Sequence, residues 1–77
     1  MEISFHPHAS EKLKERRIKG SIVEDVIRNP DSVVDGKLGR KIAQKSFGRY
    51  IIRAIYEERE DIVLVITAYK TKSVRYK

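Results

Sequence analysis

The chain has 77 residues, enough for one domain spanning 1–77 and too few for a second, because chains this short bury only about 60 % of the surface they expose when unfolded. It carries 17 Lys+Arg against 11 Asp+Glu, a formal net charge of +6 that points to acidic partners, with nucleic acid first and an acidic protein second. The lack of cysteine excludes disulfides, thiolate nucleophiles, iron–sulfur ligation and Cys-based zinc. No apolar run approaches the roughly 20 residues of a membrane span, so we expect a cytoplasmic protein with no membrane partner.

Glu2 to Phe5 alternates polar and apolar residues and reads as a short strand. Pro7 suits the first turn of a helix over about residues 7 to 17, with Ala9 and Leu13 on its apolar stripe. Ser21 and Glu24 fit a capping box opening a second helix, which carries Ile22, Val23, Val26 and Ile27 on one side and stops at Asn29-Pro30. Beyond Pro30 the apolar period changes from 3.6 toward 2. Ser32 to Val34 is extended, Asp35-Gly36 with Gly39 marks a turn, and strands follow over Arg40 to Phe47 and Arg49 to Tyr56, reversed at Gly48. Residues 57 to 61 form a charged turn. Ile62 to Tyr69 is apolar throughout, which predicts a strand buried on both faces. The expected class is α+β: a short N-terminal strand and two helices packed on one face of an antiparallel sheet of three to four strands.

The positive charge is concentrated in the second half. Residues 37 to 56 hold Lys37, Arg40, Lys41, Lys45, Arg49 and Arg53 with no acid, and the C-terminal eight residues add Lys70, Lys72, Arg75 and Lys77. Alternation places Tyr50, Ile52, Ala54 and Tyr56 toward the helices and Arg49, Ile51, Arg53 and Ile55 on the other face. Two Arg between two Ile suit a shallow cleft for phosphate and base. Lys45 could converge with Arg49 or Arg53 if the hairpin register puts them on one face. A centrally placed Arg53 needs an anion or a wet groove, whereas Lys37, Lys41 and Lys77 read as solvated edge charges.

Residues 8 to 18, from His8-Ala9 through Lys12-Leu13 to Arg16 and Ile18, resemble the opening signature of the family known as domain of unknown function 4258, which is grouped with RelE/ParE-like toxins and BrnT ribonuclease toxins. The resemblance continues through residues 29–34, Gly39-Arg40-Lys41-Ile42, Gly48-Arg49-Tyr50 and Val65 to Tyr69. It implies a RelE-like fold and a toxin-like endoribonuclease of a toxin–antitoxin pair. Its substrate would be RNA, including ribosome-bound message, and its partner a cognate acidic antitoxin; a homodimer stays open. Two positions depart from the family pattern: Arg17 stands for a common Gly, and Ala43 for an aromatic residue. The first is expected to matter little to a site, and the second to remove a stacking surface.

Metal-independent cleavage by 2′-hydroxyl attack needs a base, cations for the phosphorane and an acid for the leaving oxygen. His8, in the first helical turn, is the candidate base, with Arg16, Lys45 and Arg53 as cations and Tyr69 to stack or relay a proton. Arg40, Arg49, Lys70 and Lys72 are candidate nucleic-acid contacts. A competing reading makes His8 a helix-entry residue, and His6 reads as a cap or surface residue. His6 and His8 lack a third metal ligand in the sequence, so neither metal nor other cofactor is expected. The alternative function is a non-catalytic RNA-binding or protein-interaction module of the same fold.

Overall fold

Strand β1 (Glu2–Phe5) leads at once into α1 (Pro7–Arg16) in the computed structural model, which describes residues 2–72. Pro7 occupies the first turn, and His6 is the cap: its Nδ1 accepts from the His8 N–H at 3.0 Å. Ala9 and Leu13 are buried beneath α1. The helix ends at Arg17, left-handed at φ 57°, while the Ile18 N–H closes back on the Leu13 carbonyl at 2.9 Å. This is a Schellman-type ending, where glycine usually supplies the left-handed residue. Helix α2 (Gly20–Arg28) starts two residues earlier than a cap at Ser21 would set it. Lys19 is its N-cap, the Lys19 carbonyl takes the Ile22 and Val23 N–H groups, and no side chain caps it.

The chain then crosses to the far edge and returns strand by strand through β2 (Ser32–Asp35), a short 3-10 turn at Lys37–Gly39, β3 (Lys41–Phe47), β4 (Tyr50–Arg59) and β5 (Ile62–Lys72). The sheet order is β1-β5-β4-β3-β2, with β1 parallel to β5 and the other pairs antiparallel. The sheet is therefore five-stranded and mixed, where three to four antiparallel strands were expected. The parallel pair sets residues some 60 apart side by side, a pairing for which no local turn signal exists. Two other expectations change. Arg49 lies in the hairpin turn with Gly48 (φ 73°), outside β4, and the supposed charged turn is mostly strand, since β4 runs on to Arg59.

Both helices pack on one face of the sheet, α1 over β5 and α2 over β4 and β3. Ala43, Ala54 and Ala68 stand in register across three strands, and all are fully buried. This row of small side chains lets the helices approach the sheet, while Ile52, Tyr56, Val63 and Val65 fill in beside it. No described element covers the other face. The all-apolar run from Ile62 thus belongs to a strand interior in the sheet but covered on one side: Val63 and Val65 are buried, Leu64 is half-buried and Ile62 is exposed.

Candidate nucleic-acid interface

The open face is organised by a bulge. Ile55 pairs with Thr67 but Tyr56 pairs with Val65, so Ile66 is an extra residue in β5. From Thr67 onward the alternation is reversed, and Thr67 and Tyr69 join the open face opposite Ile55 and Arg53. The β3–β4 register puts Gln44 opposite Arg53 on the same face. Half-buried Arg53 donates from Nε to Gln44 Oε1 at 3.0 Å and from Nη1 to the Tyr69 hydroxyl at 3.3 Å. Half-buried Ile51 and Ile55 flank it two residues away on either side.

A second cation reaches this face from α1. Arg16 Nη1 donates to the Ala68 carbonyl at 2.8 Å and to Thr67 Oγ1 at 3.3 Å. Beyond Val65, where β1 ends, the outer edge of β5 has no strand neighbour among the described residues, and Arg16 bonds one of its carbonyls. Thr67 lies two residues before Tyr69, about 7 Å along the strand. Arg53 therefore meets Tyr69 across the ladder, while Arg16 meets β5 at Thr67 and Ala68 from its outer edge.

Three of the five expected site residues, Arg16, Arg53 and Tyr69, thus share one region. Lys45 does not, because its register partner is Ile52, on the helix side. There Lys45 Nζ donates to Asp25 Oδ2 at 2.7 Å, a bond that, with help from Asn29, holds the Asp25 carboxyl below its ordinary value. The hoped-for convergence of Lys45 with Arg53 fails on register, and its convergence with Arg49 is no better supported, since Arg49 is in the turn. His8 is exposed in the first turn of α1, about 12 Å from Arg16 along the helix axis.

Arg40, at the far end of the open face, donates from Nε to Glu57 Oε2 at 2.9 Å, and Arg59 donates to Glu57 Oε1 at 2.7 Å. First Arg40 and then Arg59 hold this carboxyl below the usual range. Arg40 therefore already has an anion. Lys70 and Lys72 pair with Ile52 and Tyr50 on the helix side. Arg75 and Lys77 lie outside the described residues. Ala43 is fully buried beneath the helices, so an aromatic residue there would be a packing element and not a surface for stacking. Gln44 and Thr67 were missed because they acquire meaning only through register and through the bulge.

A family model described as a domain of unknown function, DUF4258, matches residues 5–70. The chain belongs to the DUF4258 family. The match runs from the end of β1 to Lys70 in β5 and takes in Arg16, Arg53 and Tyr69. No curated protein and no solved structure matches the chain. Among the described residues of this DUF4258 domain, no group of three His, Asp or Glu side chains is arranged to hold a metal, and no helix is long and apolar enough to cross a membrane.

Proposed function

We propose that this DUF4258 domain binds single-stranded RNA on the open sheet face, with a phosphodiester seated at Arg53. The observation that carries this reading is the pairing of Arg53: a half-buried guanidinium in mid-sheet whose hydrogen-bond partners among the described residues are the Gln44 amide and the Tyr69 hydroxyl, with no carboxylate. A partly desolvated cation compensated only by dipoles gains most from an incoming anion. Ile51 and Ile55 offer apolar ground for ribose and base, and Arg16 supplies a second charge along the strand.

The contact between Arg53 and Tyr69 favours a second reading, a metal-independent, toxin-like endoribonuclease held in check by an acidic antitoxin. The sequence resemblance to the DUF4258 family, through its grouping with RelE/ParE-like and BrnT toxins and the RelE-like fold this implies, supports it. In such a reaction the 2′ oxygen forms a bond to phosphorus and the bond from phosphorus to the 5′ oxygen breaks. Arg53 and Arg16 stabilise the phosphorane, Tyr69 donates its proton to the departing 5′ oxygen, and the 2′-hydroxyl proton passes to solvent. Lys45 and His8 have no part in this set.

The test is binding and turnover of a short single-stranded RNA in chelator-containing buffer, for the wild-type chain, Arg53→Gln and Tyr69→Phe. Binding that is salt-sensitive and weakened in Arg53→Gln supports the interface, and cleavage lost in both variants supports the nuclease. Undiminished binding by Arg53→Gln overturns the assignment.

A further inference from the structure

A separate cleft of about 260 Å³ opens on the helix side, at the end of the sheet where α1 turns into α2, lined by Arg17, Ile18, Lys19, Ile22, Tyr50, Ile52 and Lys70. Its chemistry is divided. Ile18, Ile22 and Ile52 make the floor, the ring of Tyr50 makes a wall, and the polar lining consists of three cations with no carboxylate. Tyr50 is held from behind by Phe47, stacked at 5.9 Å between centroids and 19° between planes, and Lys70 Nζ lies 4.9 Å from the Tyr50 ring centre. Lys45, the other nearby cation on Phe47, is already bonded to Asp25. Neither Arg17, Lys19 nor Lys70 is among the ion pairs of the described residues.

Arg17 adds an independent observation. It holds a left-handed backbone at φ 57°, a conformation that glycine adopts without the strain a side chain brings. The helix ending requires this conformation, and an arginine there lines the cleft instead of relieving the strain.

The geometry points to a nucleotide-binding site: the cleft takes one base over the isoleucine floor against Tyr50, with Lys70 leaving the ring face it covers to join Arg17 and Lys19 on the phosphate. The volume sits just under the range of about 300–1,000 Å³ typical of small-molecule pockets, which suits one nucleotide and nothing larger. Base stacking on an aromatic ring and a phosphate held by charged donors are the two contacts such a ligand makes best. The site lies on the opposite side of the sheet from Arg53 and does not depend on RNA binding there.

The same chemistry is carried by a free nucleoside 5′-monophosphate and by the first nucleotide of a 5′-phosphorylated strand. Calorimetric titration of the full chain with AMP, UMP, inorganic phosphate and a short RNA with or without its 5′ phosphate separates them. Binding of AMP or UMP, about ten-fold weaker in each of Arg17→Gly and Lys70→Ala and unchanged in Lys37→Ala, supports the site for free nucleotide. Preference for the 5′-phosphorylated strand over the 5′-hydroxyl strand, lost in the same variants, supports it for a strand end. Tyr50→Leu is expected to weaken the nucleotides while leaving inorganic phosphate unchanged. Inorganic phosphate binding as tightly as AMP removes the base from the proposal. Absence of binding, or binding indifferent to Arg17→Gly and Lys70→Ala with thermal unfolding intact, overturns it.

Discussion

Tyr69 faces Arg53 across the β4–β5 ladder because the ladder passes over Ile66. Val63 and Val65 point to the helices, and strict alternation would send Tyr69 after them, away from Arg53. The bulge therefore makes the contact on which the proposed RNA interface rests.

Removing Ile66 tests that dependence. Because Ile66 is the unpaired extra residue, its deletion closes the bulge into an unbroken ladder that keeps Thr67 and Tyr69 on the open face and Ala68 beneath the helices. We expect the shortened chain to fold, at a cost of no more than about 0.5–3 kcal/mol read as a modest fall in Tm by circular dichroism. Loss of the cooperative melt would show that β5 does not hold this register.

Arg53 is expected to act on RNA as a phosphate contact. Arg53→Gln should lower the slope of log K against log salt by about 1, uniformly across RNA sequences, in anisotropy titrations over a range of KCl. With Tyr69→Phe in a double-mutant cycle, the two positions should couple by about 0.5–1.5 kcal/mol; strict additivity would mean that the hydroxyl and the guanidinium act separately.

The buried row Ala43, Ala54 and Ala68 leaves no room for extra atoms between sheet and helices. Ala54→Leu should cost about 1–3 kcal/mol in urea unfolding. Ile55→Leu, one residue on but on the open face, should stay within about 0.5 kcal/mol. Equal costs for the two would contradict the assignment of faces.

Glu57 titrates below its ordinary value in the folded chain, through Arg40 first and Arg59 second. The unfolded chain thus takes up this proton more readily than the folded one. The stability the carboxylate adds is full above its ordinary value and disappears as pH falls through the lowered value. Thermal melts followed from about pH 5 downward should show a shallower fall in Tm for Glu57→Gln than for the wild-type chain. Parallel curves would remove Glu57 from the acid response.

Arg17 sits where a glycine is unstrained, so Arg17→Gly should raise stability by about 0.5–1 kcal/mol, after allowing for the freedom glycine adds to the unfolded chain. Urea unfolding measures this directly. A destabilised Arg17→Gly would mean that the arginine contributes packing that outweighs its backbone strain.

Local periodicity and punctuation determined much of this molecule. Pro7 and Asn29-Pro30 bound helical segments, Ala9, Leu13, Val23 and Val26 mark their buried sides, and alternation assigns Ile52 and Ala54 to the core and Arg53 to the opposite face. Each of these signals acts within a few residues, where backbone sterics and side-chain period decide the outcome. Tertiary structure alone decided the pairing of β1 with β5, the separation of Lys45 from Arg53, the shift at Ile66 that brings Tyr69 round, and the reach of Arg16 to Ala68. These depend on register between distant segments. A one-residue slip exchanges every face, and nothing in the local chain specifies it until the alanine row and the helices are packed together.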